Sequence, residues 1–172
     1  MSVEPLAEHH REGLRAAAED LSIFRFIPWP GDFDRYFDDA LASPDVPFAV
    51  CVGGEPAGST RLMAYAPEHR RVEIGWTWLR RAAWGTGANV EAKLLLLEHA
   101  FDRHGVQRVE FKTDARNLQT RGSLLALGAR FEGIARKHMM LPNGPRDSAW
   151  YAITEDDWPA VRARLEARLD AR

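Results

Sequence analysis

The segment from residue 71 to residue 114 constrains the fold more than any other part of the chain. The strand-like pattern VEIGWTWL is followed by the turn WGTG, the helical run ANVEAKLLLLEHAF and a second strand-like pattern, RVEFKTD. Apolar residues alternate in the flanking segments, whereas four consecutive leucines at 94–97 fit a largely buried helix. A strand–helix–strand unit of this kind predicts two parallel neighbouring strands.

The remaining segments add strands and helices around this unit. PFAVCV, STRLMAY and VEIGWTWL predict a three-strand meander over residues 47–79, and NLQTRGSLLALG predicts a helix that Gly128 ends. ARFEGIARKHMML and RDSAWYAIT predict a hairpin around PNG, and residues 155–172 predict an amphipathic helix. We predict an α+β (mixed α/β) fold in a single domain over residues 1–172, with a central mixed sheet of six to seven strands and helices on both faces.

Alternation in the third strand of the meander assigns its side chains to two faces. One face is predicted to carry Glu73, Gly75, Thr77 and Leu79. The other is predicted to carry Val72, Ile74, Trp76 and Trp78.

The segment LSIFRFIPWPGDFDRYFDDAL, residues 21–41, concentrates aromatic side chains in a region that proline and glycine interrupt. Two interpretations are open: the aromatic residues cover the core, or they form a wall of a binding cleft. The segment before it reads as helical.

Composition and charge argue against several classes of protein. The chain has 172 residues, of which 45% are hydrophobic and 28% charged, as is typical of a globular domain. Its formal net charge of -2 argues against a nucleic-acid partner, because binding a phosphate backbone needs surplus basic residues. No apolar run approaches the roughly 20 residues of a membrane span, and no signal peptide is recognisable. We therefore expect a cytoplasmic protein without a membrane partner.

The cysteine and histidine residues do not indicate a metal site. Cys51 lies in the apolar run FAVCV, which favours a buried hydrophobic role over a nucleophilic one. A single cysteine permits no intrachain disulfide, which fits a reducing compartment. The six histidines form neither HExxH nor a zinc-ligand spacing, so we predict no metal.

The turn Gly85-Thr86-Gly87 precedes the leucine-rich helix and could bind a phosphate. Backbone N–H groups at a helix start lack intrahelical partners, and glycines allow an anion to approach them. The chain has no Walker sequence GxxxxGK[ST], and a GxGxxG dinucleotide fingerprint is incomplete because its third glycine position is Val90. A pyrophosphate held by one short turn remains, as does a turn that only reverses the chain.

Three fragments occur in an order that is typical of one family. The chain contains WLRRAAWGTGANVEA, then RVEFKTDARNLQT, then LGARFEG. This set resembles the GNAT acyl-CoA N-acyltransferases, in particular the branch that includes the ribosomal-protein N-terminal acetyltransferases. That branch typically shows WLxPxxWGxGxATEA, RVExxxDxxNxxS and LGFxxEG. The resemblance covers roughly residues 47–158, and weakly the helical start, and it implies the GNAT fold and acetyl-CoA as cofactor. Members of the family usually begin with a strand of the form GxxVxLxPL, whereas only SVEPL precedes the first helix here, so the first strand would be short or missing. The exposed sheet edge could then pair with a second subunit in a homodimer.

The resemblance also implies which residues bind the cofactor. The family's acyl-CoA loop, Q/R-x-x-G-x-G/A, falls on Trp84, Gly85, Thr86, Gly87, Ala88 and Asn89. Backbone N–H groups of this loop would hold the CoA pyrophosphate, and the backbone of Trp78 and Leu79 would pair with the pantetheine amides. Asn117 matches an asparagine that bonds the cofactor arm or an ordered water. Trp84 and Asn89 depart from the usual residue types, and Ala129 stands where the family has glycine-phenylalanine.

Glu73, Thr120 and Asn117 are the catalytic candidates that the resemblance implies. Glu73 would act as a base through water, although it could equally be a paired surface carboxylate. Thr120 would orient or protonate the leaving thiolate, or be a surface helical residue, and Asn117 could also cap its helix. Many relatives have a tyrosine acid where this chain has Leu124, and Tyr151 would be a distant substitute.

The implied activity is acetyl transfer from acetyl-CoA to a primary amine by direct attack in a ternary complex. A protein or peptide N-terminus is the favoured acceptor. An α-amino group with a pKa of about 8 is partly neutral at neutral pH, whereas a lysine side chain near about 10.4 is almost fully protonated. Small-molecule amines stay open as acceptors. So do a non-catalytic acyl-CoA-binding or protein-interaction module and a dinucleotide-binding oxidoreductase.

Overall fold

The computed structural model describes residues 1–141 and 144–171, which form seven strands in one mixed sheet. Their order across the sheet is β1-β2-β3-β4-β5-β7-β6. The strands are β1 (Ser2–Pro5), β2 (Val46–Val52), β3 (Glu55–Ala66), β4 (Arg71–Leu79), β5 (Arg108–Asp114), β6 (Arg130–Leu141) and β7 (Gly144–Thr154). β4 and β5 are parallel and the other neighbours are antiparallel. The predicted fold class, meander and parallel pair are therefore confirmed.

Helices cover both faces of this sheet. They are α1 (Arg11–Ala17), α2 (Phe33–Ala42), α3 (Ala88–Glu98), α4 (Leu118–Leu127) and α5 (Trp158–Asp170). Apolar residues of α3, α4 and α5 form one core cluster with the sheet, and those of α1 and α2 form a second with its opposite face. The predicted closing hairpin is β6–β7, but its turn residues Pro142 and Asn143 lie outside the described residues.

Glycines end α3 and α4 as predicted. A π-helical turn, His99–Arg103, extends α3, and Gly105 follows with a φ of 59°. Gly128 follows α4 with a φ of 108°. Both values lie in the left-handed region where glycine avoids the steric cost that a Cβ would bring.

The first strand is present and short. Ser2–Pro5 pairs antiparallel with β2, and its four residues place β1 at one edge of the sheet. Pairing of this short segment therefore supplies the strand that the sequence left as short or missing.

A β-bulge in β4 makes the predicted assignment of faces wrong. Arg61 of β3 lies opposite Gly75, but Ser59 lies opposite Trp78, so β4 has one residue more than β3 over this interval. Trp76 has a φ of 51°, which is rare for a bulky residue and marks the distortion. An extra residue reverses the alternation for everything that follows it.

The consequence is that the two halves of β4 present opposite patterns. Val72 and Ile74 belong to the core cluster of α3, α4 and α5, whereas Trp76 and Trp78 pack in the cluster of α1 and α2. Leu79 packs against α3 in a third, smaller cluster. Val72, Ile74, Trp76 and Trp78, which were predicted to share one face, are thus divided between the two faces of the sheet. The other predicted set, Glu73, Gly75, Thr77 and Leu79, is divided in the same way.

β4 and β5 separate beyond their first residues. Their register pairs Arg71 with Arg108, Val72 with Val109 and Glu73 with Glu110, and within the described residues the pairing goes no further. β4 nevertheless continues to Leu79 and β5 to Asp114. The sheet therefore opens between these strands, with the starts of α3 and α4 close by.

Candidate active site

The opening between β4 and β5 forms a cleft of about 960 Å³. Its walls come from both separated strands, from the start of α3, from most of α4, and from the segment before α2, with single residues of β3, β6, β7 and α5. This volume lies at the upper end of the range that small-molecule sites occupy. Of the residues predicted from sequence, the lining contains Glu73, Trp78, Leu79, Trp84, Gly85, Gly87, Asn89, Asn117 and Thr120. Thr86 and Ala88 are not part of it.

The glycine turn places the start of α3 at this cleft. Gly87 precedes the helix with a φ of 97°, and Gly85 has a φ of 74°. A Cβ built on Gly85 would meet no atom within 4 Å, so the approach to the turn is open. Thr86 stabilises the turn, because its hydroxyl donates to the Ala83 carbonyl at 2.8 Å and accepts from the Ala88 N–H at 3.3 Å. The positive end of the α3 dipole thus faces the cleft.

Trp84 and Arg81 flank the turn and contact other parts of the chain. The Trp84 indole N–H donates to the Leu79 carbonyl at 2.8 Å, which ties the end of β4 to the turn. The Arg81 guanidinium lies over the Trp84 ring, is paired with Asp20, and donates to the Ser22 hydroxyl at 2.6 Å. A carbonyl oxygen has two lone pairs, so the Leu79 carbonyl retains one acceptor position.

The segment 21–41 has both of the roles that the sequence left open. Phe24, Tyr36 and Phe37 are buried in the core cluster of α1 and α2, whereas Phe26 and Ile27 line the cleft. Tyr36 also accepts a hydrogen bond of 2.8 Å from the Trp78 indole, which fixes the segment against β4.

Asn117 and Thr120 stand together at the start of α4. The Asn117 side chain accepts a hydrogen bond from the Thr120 backbone N–H at 3.1 Å, so it caps the helix. Both residues line the cleft, and among the described residues the Thr120 hydroxyl has no hydrogen-bond partner. Leu124, the position at which the resemblance implied a tyrosine in many family members, also lines the cleft. Tyr151 does not line the cleft, and its buried hydroxyl accepts a hydrogen bond from the Arg121 guanidinium at 3.0 Å.

Glu73 is a buried carboxylate at the point where the strands part. It is 2% exposed, and the Lys112 ammonium donates to its Oε2 at 3.0 Å. Burial raises the pKa of Glu73 above its ordinary value, while the charge of Lys112 opposes that rise. A carboxyl group with a raised pKa at a cleft is suited to accepting a proton.

Sequence reasoning missed two buried cations of the cleft, Lys93 and Arg146. The Lys93 ammonium donates to the Thr77 hydroxyl at 2.7 Å, and that hydroxyl also bonds the Thr60 hydroxyl. Burial lowers the pKa of Lys93 to about 7. A lysine inside the apolar run AKLLLL was the available signal for Lys93, whereas nothing in the pattern of β7 distinguished Arg146.

One cluster of possible metal ligands occurs in the part of the chain that the structure describes. The ligand atoms of Glu4, His10 and Cys51 lie within 4.8 Å of one another. The Ala7 N–H donates to His10 Nδ1 at 3.1 Å, which places the imidazole proton on Nε2, 3.2 Å from Glu4 Oε2. A protonated Nε2 is a hydrogen-bond donor to that carboxylate and has no lone pair for a metal.

The seven-stranded mixed sheet that opens at its parallel pair, with a glycine turn and a helix start at the opening, is a GNAT-like α+β fold. The family model of the acetyltransferase (GNAT) domain matches residues 1–130. The chain belongs to the GNAT acetyltransferase family and is an N-acetyltransferase. This result removes the dinucleotide-binding oxidoreductase from consideration.

Solved structures of acetyltransferases share the fold. An acetyltransferase-like protein from T. thermophilus is 40% identical with a TM-score of 0.89, over 97% of this chain and 92% of that one. Mycobacterium smegmatis RimJ in complex with CoA-disulfide is 21% identical with a TM-score of 0.83, over 96% and 88%. RimL, a ribosomal L7/L12 alpha-N-protein acetyltransferase, is 17% identical with a TM-score of 0.79, over 88% of each chain.

A search of curated proteins gives no match. Across residues 1–141 and 144–171, the helices are all too short or too polar to span a membrane.

Proposed function

We propose that this protein transfers an acetyl group from acetyl-CoA to the N-terminal amine of a protein or peptide, by direct attack of the amine in a ternary complex. The observation that carries the proposal is the cleft between β4 and β5, which has the α3 start at one end and the buried Glu73 at the other. The fold shared with RimL, named for protein N-terminal acetylation, supports this acceptor class.

The residues at the start of α3 fit a CoA diphosphate. Left-handed glycines at 85 and 87 keep side chains away from the helix start, where backbone N–H groups and the helix dipole favour an anion. Thr86, which does not line the cleft, would contribute through its backbone, whereas the Ala88 N–H already donates to the Thr86 hydroxyl and would help to hold the shape of the turn. The backbone of Trp78 and Leu79, in the part of β4 that β5 does not pair, would bind the pantetheine amides.

Bound acetyl-CoA supplies an activated acetyl group in the form of a thioester. Glu73 would accept the proton that the attacking amine loses, through a water molecule. Its raised pKa makes the carboxylate a better base than an exposed glutamate. An α-amino acceptor needs little help, because its pKa of about 8 leaves a useful neutral fraction at neutral pH.

Thr120 would orient or protonate the departing sulfur. Its hydroxyl lines the cleft and is not committed to another described group. Asn117 would hold Thr120 in place through the cap and could bond the cofactor arm or a water molecule. With Leu124 at the usual tyrosine position and Tyr151 bonded to Arg121, Thr120 or water would take the acid role.

A thiol-release assay with a panel of amines tests this function. We expect turnover with peptides that have a free N-terminus, and none with the same peptides blocked at the α-amine but carrying a lysine. Acetyl-CoA should also raise the melting temperature, whereas NAD should not. Turnover with lysine side chains or small amines, and none with free N-termini, would overturn the assignment of the acceptor.

A further inference from the structure

The β5–β7 side of the cleft contains a buried arginine that no described acidic group pairs with. Arg146, on β7, is 5% exposed and lines the cleft. Within the described residues its guanidinium makes no hydrogen bond or ion pair, and its Nε is buried without a partner. Removing a guanidinium from water costs free energy unless charge or hydrogen bonds replace the lost hydration.

Arg146 lies on the same face of the sheet as Glu73. Arg146, Ser148 and Trp150 alternate along β7 with Ala149 and Tyr151, which belong to the core on the opposite face. The Lys112 ammonium lies 5.2 Å from the Trp150 ring centroid and bonds Glu73. Arg146 therefore adjoins the end of the cleft where we place the acceptor amine.

The carboxylates near Arg146 are each neutralised by another cation. Glu73 is paired with Lys112 at 3.0 Å, and Asp114 is paired with Arg116 at 2.7 Å. Asp114 and Glu73 do favour the charged form of Arg146, but burial outweighs them and lowers the pKa of Arg146. Because Glu73 and Asp114 each have their own cation, this group of five charged residues, with Lys112, Arg116 and Arg146, has one unmatched positive charge, that of Arg146.

We propose that Arg146 binds a carboxylate of the acceptor, so that the preferred acceptor carries an acidic group a few bonds from its amine. This inference rests on the proposed function and specifies the substrate class of the same site. A guanidinium binds a carboxylate with two parallel hydrogen bonds, which also orients the group. The carboxylate can come from an acidic side chain next to a peptide N-terminus, or from the α-carboxylate of a free amino acid.

Two matched pairs of acceptors distinguish these sources in a thiol-release assay. The first pair is two peptide amides that differ only in aspartate or asparagine at the second position. The second pair is leucine and leucinamide. We expect the carboxylate-bearing member of one pair to have a kcat/KM about 10- to 100-fold higher, mainly through KM, because a charge-assisted hydrogen bond is worth that much. The favoured pair identifies the source.

Variants at the arginine connect the preference to this side chain. Arg146→Gln should remove the preference, and Arg146→Lys should retain part of it. Arg136→Gln changes an exposed arginine of β6 and should leave the preference intact. If Arg146→Gln does not fold, Arg146→Lys can be compared with the wild type for the same quantity, the ratio of kcat/KM between the two members of an acceptor pair.

The outcomes separate this inference from the function on which it rests. Turnover of both members of each pair at equal kcat/KM would overturn the role of Arg146 but leave N-acetylation standing. A preference that survives in Arg146→Gln would also overturn it. No turnover of any peptide would overturn the proposed acceptor class itself.

Discussion

Replacing Lys93 with methionine should stabilise the protein at neutral pH and reduce the pH dependence of its stability. Lys93 is 5% exposed, and its ammonium has hydroxyl groups near it but no described carboxylate. Burial therefore disfavours its charged form and lowers its pKa from 10.5 to about 7. Methionine preserves most of the side-chain length without the charge.

The magnitude follows from this difference in pKa between the unfolded and folded states. A shift from 10.5 to about 7 corresponds to about 5 kcal/mol of unfavourable free energy while both states are protonated. Above pH 7 the folded state loses the proton before the unfolded state does, so stability rises with pH until about 10.5. Between about pH 6.5 and about pH 9, the wild type should gain about 2.5 kcal/mol relative to Lys93→Met.

Urea unfolding of both proteins at the two pH values measures this gain. Other titrating groups are common to the two proteins and cancel in the comparison. Lys137→Met, at an exposed lysine of β6, is the matched control and should follow the wild type. If the free energy of unfolding changes by the same amount between the two pH values in the wild type and in Lys93→Met, Lys93 stays protonated in the folded protein. That result would refute this description of the α3 side of the cleft.

The remaining predictions concern the residues that we propose for catalysis and cofactor binding. Thr120→Ala and Glu73→Gln should each lower kcat, and loss of the general base in Glu73→Gln should lower it by about 100-fold. The affinity for acetyl-CoA, measured by calorimetry, should be nearly unchanged in both variants. An unchanged kcat would exclude the roles given to these two residues. Lys112→Met should move the acidic limb of the kcat–pH profile to higher pH. The reason is that Lys112 lowers the pKa of Glu73, and a base must be deprotonated to act. If the acidic limb does not move, Glu73 is not the base of the reaction. Gly87→Ala should cost about 1–2 kcal/mol of stability, because its φ of 97° is left-handed, and should weaken acetyl-CoA binding. Gly105→Ala, equally left-handed but at the far end of α3, should cost similar stability without affecting binding.

The order of elements and the position of the glycine turn at the start of α3 could be predicted from the sequence because they depend on local patterns. The alternating strands around a leucine-rich helix specify the parallel pair, and the glycines at 85 and 87 mark the helix start. Asn117 followed by Thr120 similarly indicated a helix cap, which the structure contains.

The bulge and the buried cations could not be predicted in the same way. The bulge at Trp76 depends on the register of β3 against β4, and that register is a tertiary property that strand alternation does not encode. The environment of Arg146 depends on which carboxylates of β4 and β5 reach β7 and which are already paired. Pairing between distant strands creates these neighbours, so a single segment contains no sign of them.

A crystal structure of the protein with coenzyme A tests the central claim most directly. We predict that the diphosphate lies within hydrogen-bond distance of backbone N–H groups in the segment Gly85–Asn89. We also predict that the sulfur lies between β4 and β5, near Thr120. A diphosphate bound away from Gly85–Asn89, or a sulfur outside the opening between β4 and β5 and distant from Glu73, would contradict this prediction.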